Sequence, residues 1–338
     1  GGVSIPSTMF VLLYDVALPV GLVGAGVWLL LRRPIALPPA RVRSDHPDVP
    51  AGKRRGALAG GAGLVGGGAV GSVMAPWATP VAAVGVGLGA ALAVHYRPMA
   101  RVRADVRAIE SGIADATAVV GRRVAAGESV ETAIGSAADA TTGRTSDLFA
   151  TAAGVQRRLR VGVRRAFLGE YGALADVPSP RTRATASLLG VAAAQGQPAG
   201  PTLVTLADHL TELRRVEREA RRELAAITGT LRHTAAVFAP LVGGATVAMA
   251  TQMAGSESTL SAAGSVSGGA PGAAVLPPST LGVAVGVYVL VLAAILTAIA
   301  TGLDRGLDRA LVGYRVGLAL LSATPTYLVA FVGASALF

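Results

Sequence analysis

The sequence predicts an all-α integral membrane protein: six transmembrane helices, three before and three after one cytoplasmic antiparallel helical bundle. Three observations carry this. Half of the 338 residues are apolar, and they gather into runs of about 20, the length that crosses a roughly 30 Å hydrocarbon core. A stretch of about 136 residues in the middle holds most of the charge and has no sustained β alternation. Finally, the Lys and Arg residues fall on only one side of the arrangement that the apolar runs imply.

The first span covers residues 1–31, its apolar core beginning near Thr8. Arg32 and Arg33 stop it, and Trp28 sits just inside as an interfacial anchor. No basic residue precedes it and no Ala-x-Ala site follows, so it does not read as a signal peptide. Residues 32–56 form a polar, Pro-rich loop with seven basic and two acidic residues. Residues 57–96 carry no charge and are too long for one crossing. Pro76, Trp77 and Pro80 mark the turn of a transmembrane hairpin. The island covers 97–232, with 20 basic and 14 acidic residues. A fourth span at 233–253 is followed by a Ser/Gly/Ala-rich outer loop at 254–279. The fifth span is 280–302, a short charged loop is 303–315, and the sixth span is 316–338, with Pro325 expected to kink it.

If 57–96 crosses twice, the three charged segments share one compartment. They hold seven, 20 and three basic residues, which is every Lys and Arg in the chain. The positive-inside rule places them in the cytoplasm of a multi-pass cell-membrane protein, with both termini outside. The chain opens on Gly-Gly rather than Met, as expected of one that has lost an upstream half or pairs with a second copy.

Within the island, Val102, Val106, Ile109, Ile113, Val120 and Val124 make one apolar stripe on a helix over 99–126. Gly127 ends it and Ser129 caps a short helix through Ala133, Ile134 and Ala137. Ser146 is expected to cap a third helix over 147–167. Pro178 and Pro180 mark a loop, a fourth helix covers 181–194, and residues 195–201 turn. The long helix over 202–232 would measure about 45 Å at 1.5 Å per residue. Its apolar residues are Leu203, Leu206, Leu210, Leu213, Ala220, Leu224, Ile227 and Leu231, in alternating steps of three and four. Helices with one apolar face and short connections make an antiparallel bundle.

The order of parts resembles the type II secretion F family, the membrane platform proteins of type II secretion, type IV pili and archaella. One cue is the helix containing Ile113-Ala114-Asp115-Ala116, then Gly127-Glu128-Ser129, then Ala133-Ile134. A second is Leu188-Leu189-Gly190 through Gly196, then Leu203-Val204-Thr205-Leu206-Ala207 opening the long helix. A third is Pro240 soon after entry into the next span. The match covers residues 103–242. Many members carry two such domains in tandem, whereas here there is one and no internal repeat. Three spans on each side look most like the archaeal pilus and archaellum branch.

The resemblance implies a non-enzymatic protein coupling a hexameric secretion ATPase to assembly of pilin-like subunits, working as a homodimer or beside a second F-type half. Arg157, Arg158, Arg160, Arg164 and Arg165 form the densest unpaired charge, with Arg214, Arg215 and Arg218 on the long helix. One reading is ATPase docking; the other is a solvated face or an attraction to anionic lipid. Nucleic acid is disfavoured, because only Phe167 and Tyr171 lie nearby to stack.

Small-residue rows occur at Gly63, Gly67 and Gly71, at Gly85 and Gly89, and at Gly282 and Gly286. Such rows allow close helix approach, either within one protomer, at a subunit interface or in a groove that holds pilin helices. Asp15 is the one acid inside a span.

There is no cysteine, so disulfides and thiolate chemistry are excluded. The four histidines are scattered, with His209 and His233 24 positions apart, and no metal or cofactor is implied. No Walker loop, nucleophile–base pair or paired carboxylates occur. A permease subunit of an ATP-driven transporter is the alternative; it requires polar contacts at mid-membrane, and apart from Asp15 the spans supply almost none.

Overall fold

The computed structural model describes residues 12–31, 52–196, 198–262, 277–306 and 308–337. Every regular element among them is helical. A π-helical turn, Leu12–Ala17, leads into α1 (Leu18–Leu31). Then come α2 (Gly52–Met74), a 3₁₀ turn (Pro76–Ala78), α3 (Thr79–Ala125), α4 (Val130–Ala140) and α5 (Gly143–Leu159). They are followed by α6 (Val163–Leu168), α7 (Pro180–Gln195) and α8 (Ala199–His233). A second π-helical turn, Thr234–Phe238, joins α8 to α9 (Ala239–Ala262). The chain ends with α10 (Pro278–Arg305) and α11 (Arg309–Leu337).

Five helical stretches among the described residues are long and apolar enough to cross a membrane: Arg54–Met74, Pro76–Ala125, Ala199–Ser256, Pro278–Asp304 and Arg309–Leu337. They coincide with five of the six expected spans. Of the first, residues 1–11 lie outside the described part, and its apolar helical portion, Asp15–Trp28, is shorter. The basic loop at 32–56 is described only from Gly52, and the outer loop at 254–279 only at its two ends.

The chain divides into two compact units, and the divisions fall inside α3 and α8. The first comprises residues 1–37, 51–97 and 224–338 and holds the apolar helices. The turn expected at residues 75–80 is there, with Ala75 and Ala78 buried beneath it. The Tyr327 hydroxyl donates to the Gly282 carbonyl at 2.7 Å, and Trp77 meets Tyr327 and Phe331 edge to face at 6.3 and 5.0 Å. Val81, Val247, Val289, Leu290 and Leu320 complete this core.

The second unit comprises, among the described residues, 98–223. Ile109, Ile113, Val120 and Val124 of α3 enter one core with Ile134, Phe149, Phe167, Leu174, Leu189 and Leu203. The stripe predicted on α3 is therefore the inner face of the bundle. Phe149 and Phe167 pack edge to face at 5.4 Å. Ser129 caps α4 as expected, its oxygen accepting from the Thr132 N–H at 3.2 Å. Ser179 caps α7 in the same way at 3.1 Å.

Three boundaries differ from the sequence reading. The helix expected over 99–126 is not a separate one: α3 runs unbroken for 47 residues with Pro98 inside it, and the two units divide within it between residues 97 and 98. Proline removes one helical hydrogen bond, but Ala93, Ala100 and Val102 are buried on both sides of it, and packing outweighs the lost bond. The third helix begins at Gly143 behind Thr142, and the Ser146 hydroxyl donates instead to the Ala138 carbonyl at 2.7 Å. It ends at Leu159, because Arg160 adopts a left-handed conformation (φ 51°), and α6 starts afresh at Val163.

Candidate functional site

The five clustered arginines do not lie on one helix. Arg157 and Arg158 end α5, Arg160 forms its left-handed cap, and Arg164 and Arg165 lie on α6. All five are exposed, and none makes an ion pair with a described residue. The stem of Arg164 lies over Gly190 of α7, where an added Cβ would meet the Arg164 Cβ at 2.8 Å. The backbone at Arg160 is unusual in a second respect. A left-handed residue costs about 1–2 kcal/mol unless it is glycine, so this corner keeps a charged side chain where glycine would be easier.

The three arginines of α8 divide. Arg214 is half-buried and donates to the Glu110 carbonyl on α3. Burial pushes its guanidinium below the ordinary arginine value, opposed by the nearby Asp115, Glu217 and Glu110. Arg215 faces Glu212 at 3.9 Å, both well exposed. The exposed Arg218 donates its Nε–H to the Arg214 carbonyl at 3.3 Å.

Around Arg214 lies a polar network that no local sequence pattern foreshadows. The Ser179 hydroxyl donates to the Glu110 carboxylate at 2.6 Å while its oxygen caps α7. Arg181, in the first turn of α7, pairs with Glu217 of α8. That hydrogen bond, from Arg181, holds the Glu217 carboxyl below the ordinary glutamate value and holds Arg181 above the ordinary arginine value. One polar cluster thus ties α3, α7 and α8 together. Its bonded partners are 36 to 104 residues apart in sequence, too far for a local pattern to link them.

The glycine rows pack internally. An added Cβ would meet the Val86 carbonyl at 2.9 Å from Gly63, the Ala82 carbonyl at 2.4 Å from Gly67, and the Ala82 Cβ at 2.9 Å from Gly71. From Gly85 it would meet the Thr324 hydroxyl at 2.2 Å, and from Gly89 the Leu321 Cγ at 2.9 Å. An added Cβ would meet the Trp77 ring at 2.5 Å from Gly282 and the Val81 side chain at 2.8 Å from Gly286. Gly127 (φ 98°) and Gly196 (φ 74°) turn the chain where the sequence placed turns.

At the root of α8, the Arg232 guanidinium donates to the Asp304 carboxylate at 2.9 Å, and Arg315 lies 3.5 Å from the same oxygen. Asp308 caps α11 through the Ala310 N–H at 3.0 Å. Two residues beyond Arg232 the π-helical turn begins, and Pro240 follows it. Asp15 is half-buried in the other π-helical turn.

Among the described residues no group of histidines or carboxylates could hold a metal ion. A cleft of about 190 Å³ on the bundle is lined by Val106, Ile109, Leu148 and Val177 together with Asp105 and Asp147. Arg144 closes one side by a two-pronged pair with Asp105 at 2.7 and 3.1 Å. Comparison with protein-family models, characterised proteins and solved structures gives no match to this chain.

Proposed function

We propose that the chain is the membrane platform of a filament or secretion machine: type IV pilus, archaellum or type II secretion. It sits in the cell membrane through six spans with its bundle and all its cations in the cytoplasm, as a homodimer or beside a second F-type half. The bundle receives a hexameric secretion ATPase, α8 carries the resulting push or twist into the membrane, and the spans help release pilin-like subunits from the bilayer. The observation that carries the reading is the arginine corner. Five exposed guanidinium groups, none paired with a carboxylate among the described residues, gather at this corner, and one of them belongs to the left-handed Arg160. Backbone strain retained at a charged, solvent-facing position favours a role in binding over one in stability. The helical course from Ala199 to Ser256, aqueous in composition at one end and apolar at the other, supports the transmission step. The glycine contacts favour packing within the protomer over a pilin groove along those rows.

The test is binding of the full chain, in neutral lipid nanodiscs, to a hexameric secretion ATPase and to a transporter ATPase. The expected result is salt-sensitive binding of the first, lost when Arg157, Arg158, Arg160, Arg164 and Arg165 are reversed to glutamate. Binding of the transporter ATPase alone would replace this reading with the permease one.

A further inference from the structure

The junction of α8 and α9 contains one residue more than an α-helix would hold. The Ala239 N–H donates to the Thr234 carbonyl, five residues back instead of four. The next residue explains why. Pro240 has no N–H to give the Ala236 carbonyl, and its ring would crowd that oxygen in a regular helix; a π turn relieves both. Two residues before the turn begins, Arg232 is held by Asp304 of α10, at the carboxylate that also faces Arg315 of α11. Ala235, inside the turn, is fully buried against Ala293, Leu296 and Ala323.

We propose that this junction is a one-residue phase switch at the root of α8, a reading that rests on the transmission role proposed above and supplies its moving part. An extra residue in a helix can migrate along it as successive hydrogen bonds exchange. In the present state it lies on the C-terminal side of Arg232. When it passes to the N-terminal side, the segment it crosses turns by about 100° and advances about 1.5 Å, the geometry of one helical residue. Arg232 then leaves Asp304. The residue that takes its place opposite the carboxylate is His233, which is exposed in the present state. Two features hold the present state: Pro240, which keeps the π turn beside it, and the Arg232–Asp304 pair, which fixes the phase. A torque on α8 is thereby converted into a discrete step with two alternative partners for one carboxylate.

The absence of cysteine makes the test direct. Two double variants of the full chain in nanodiscs, Arg232→Cys with Asp304→Cys and His233→Cys with Asp304→Cys, are treated with a short bis-methanethiosulfonate reagent. Both lack the ion pair equally, so the comparison isolates phase. With Pro240 present, the 232–304 pair should cross-link preferentially. With Pro240→Ala, which restores the N–H donor, the 233–304 yield should rise several-fold at the expense of the other. Deleting Ala236 in the Pro240→Ala background removes the extra residue and should return cross-linking to the 232–304 pair. Unchanged preference for 232–304 in Pro240→Ala overturns the switch, as does failure of the deletion to reverse the change. Filament assembly in the native cells separates this from the broader reading. If the phase changes as expected but trapping either state leaves assembly intact, the switch stands and the transmission role falls. If trapping stops assembly while the phase never changes, the transmission role stands and the switch falls.

Discussion

Arg181 and Glu217 form an ion pair across 36 residues of sequence, joining the first turn of α7 to the middle of α8. The hydrogen bond from Arg181 depresses the Glu217 carboxyl below its ordinary 4.5. A carboxyl lowered on folding stabilises above its unfolded value, and that contribution is lost as pH falls through the lower, folded value. Stability of the bundle should therefore fall as pH drops below the ordinary glutamate value of 4.5, and Glu217→Gln should flatten that fall. At neutral pH the substitution should cost less than about 1 kcal/mol, because the two side chains are 45 and 34 % exposed and water screens the pair. Chemical denaturation of both forms across this range measures the difference.

The left-handed Arg160 predicts opposite effects on stability and binding. Arg160→Gly should stabilise the chain by about 1 kcal/mol, since glycine reaches φ 51° without the Cβ penalty. The same substitution should weaken ATPase binding by removing one of five charges. Thermal unfolding and a binding titration on one preparation test both, and a tighter complex for the glycine variant would remove Arg160 from the docking surface.

Close helix approach at the start of α8 predicts a packing defect. A Cβ on Gly200 would fall 2.5 Å from the Ala125 nitrogen and 2.7 Å from its Cα, against backbone that cannot swing aside. Gly200→Ala should cost about 1–3 kcal/mol by forcing α8 away from the end of α3. Gly135, with nothing near its Cβ position, is the control, and alanine there should leave unfolding nearly unchanged or slightly raised.

In the apolar unit, Tyr327→Phe should cost about 1 kcal/mol by removing the 2.7 Å hydrogen bond to Gly282. Gly282→Ala should cost more, because the new methyl would meet the Trp77 ring at 2.5 Å. Melting curves in lipid bicelles rank the two.

Local pattern made several features readable. The uncharged length of 57–96 and the prolines beside Trp77 placed a turn that the structure contains. The α3 stripe from Val102 to Val124 named the bundle's inner face, and Ser129 marked a cap. The pattern failed where a distant partner decides. The change of polarity at Arg97 marked where the two units divide, but not that a single helix runs through the division unbroken. The apolar residues of α8 share one helical face by spacing, but their burial differs along it: Leu203 is 2 % exposed, Leu213 62 % and Ile227 57 %. Arg214 looked equivalent to Arg215 and differs because Glu110 waits for it on α3.

The sequence alone determined that the protein is helical, which stretches suit lipid, and where its cations concentrate, because these depend on periodicity, length and charge along the chain. Tertiary structure alone decided which arginine is spent inside the bundle and which glycines are filled by neighbouring helices. It also decided that Arg232 meets Asp304 beside a π turn. Each of these depends on two segments far apart in sequence arriving at one place, and no local pattern encodes that.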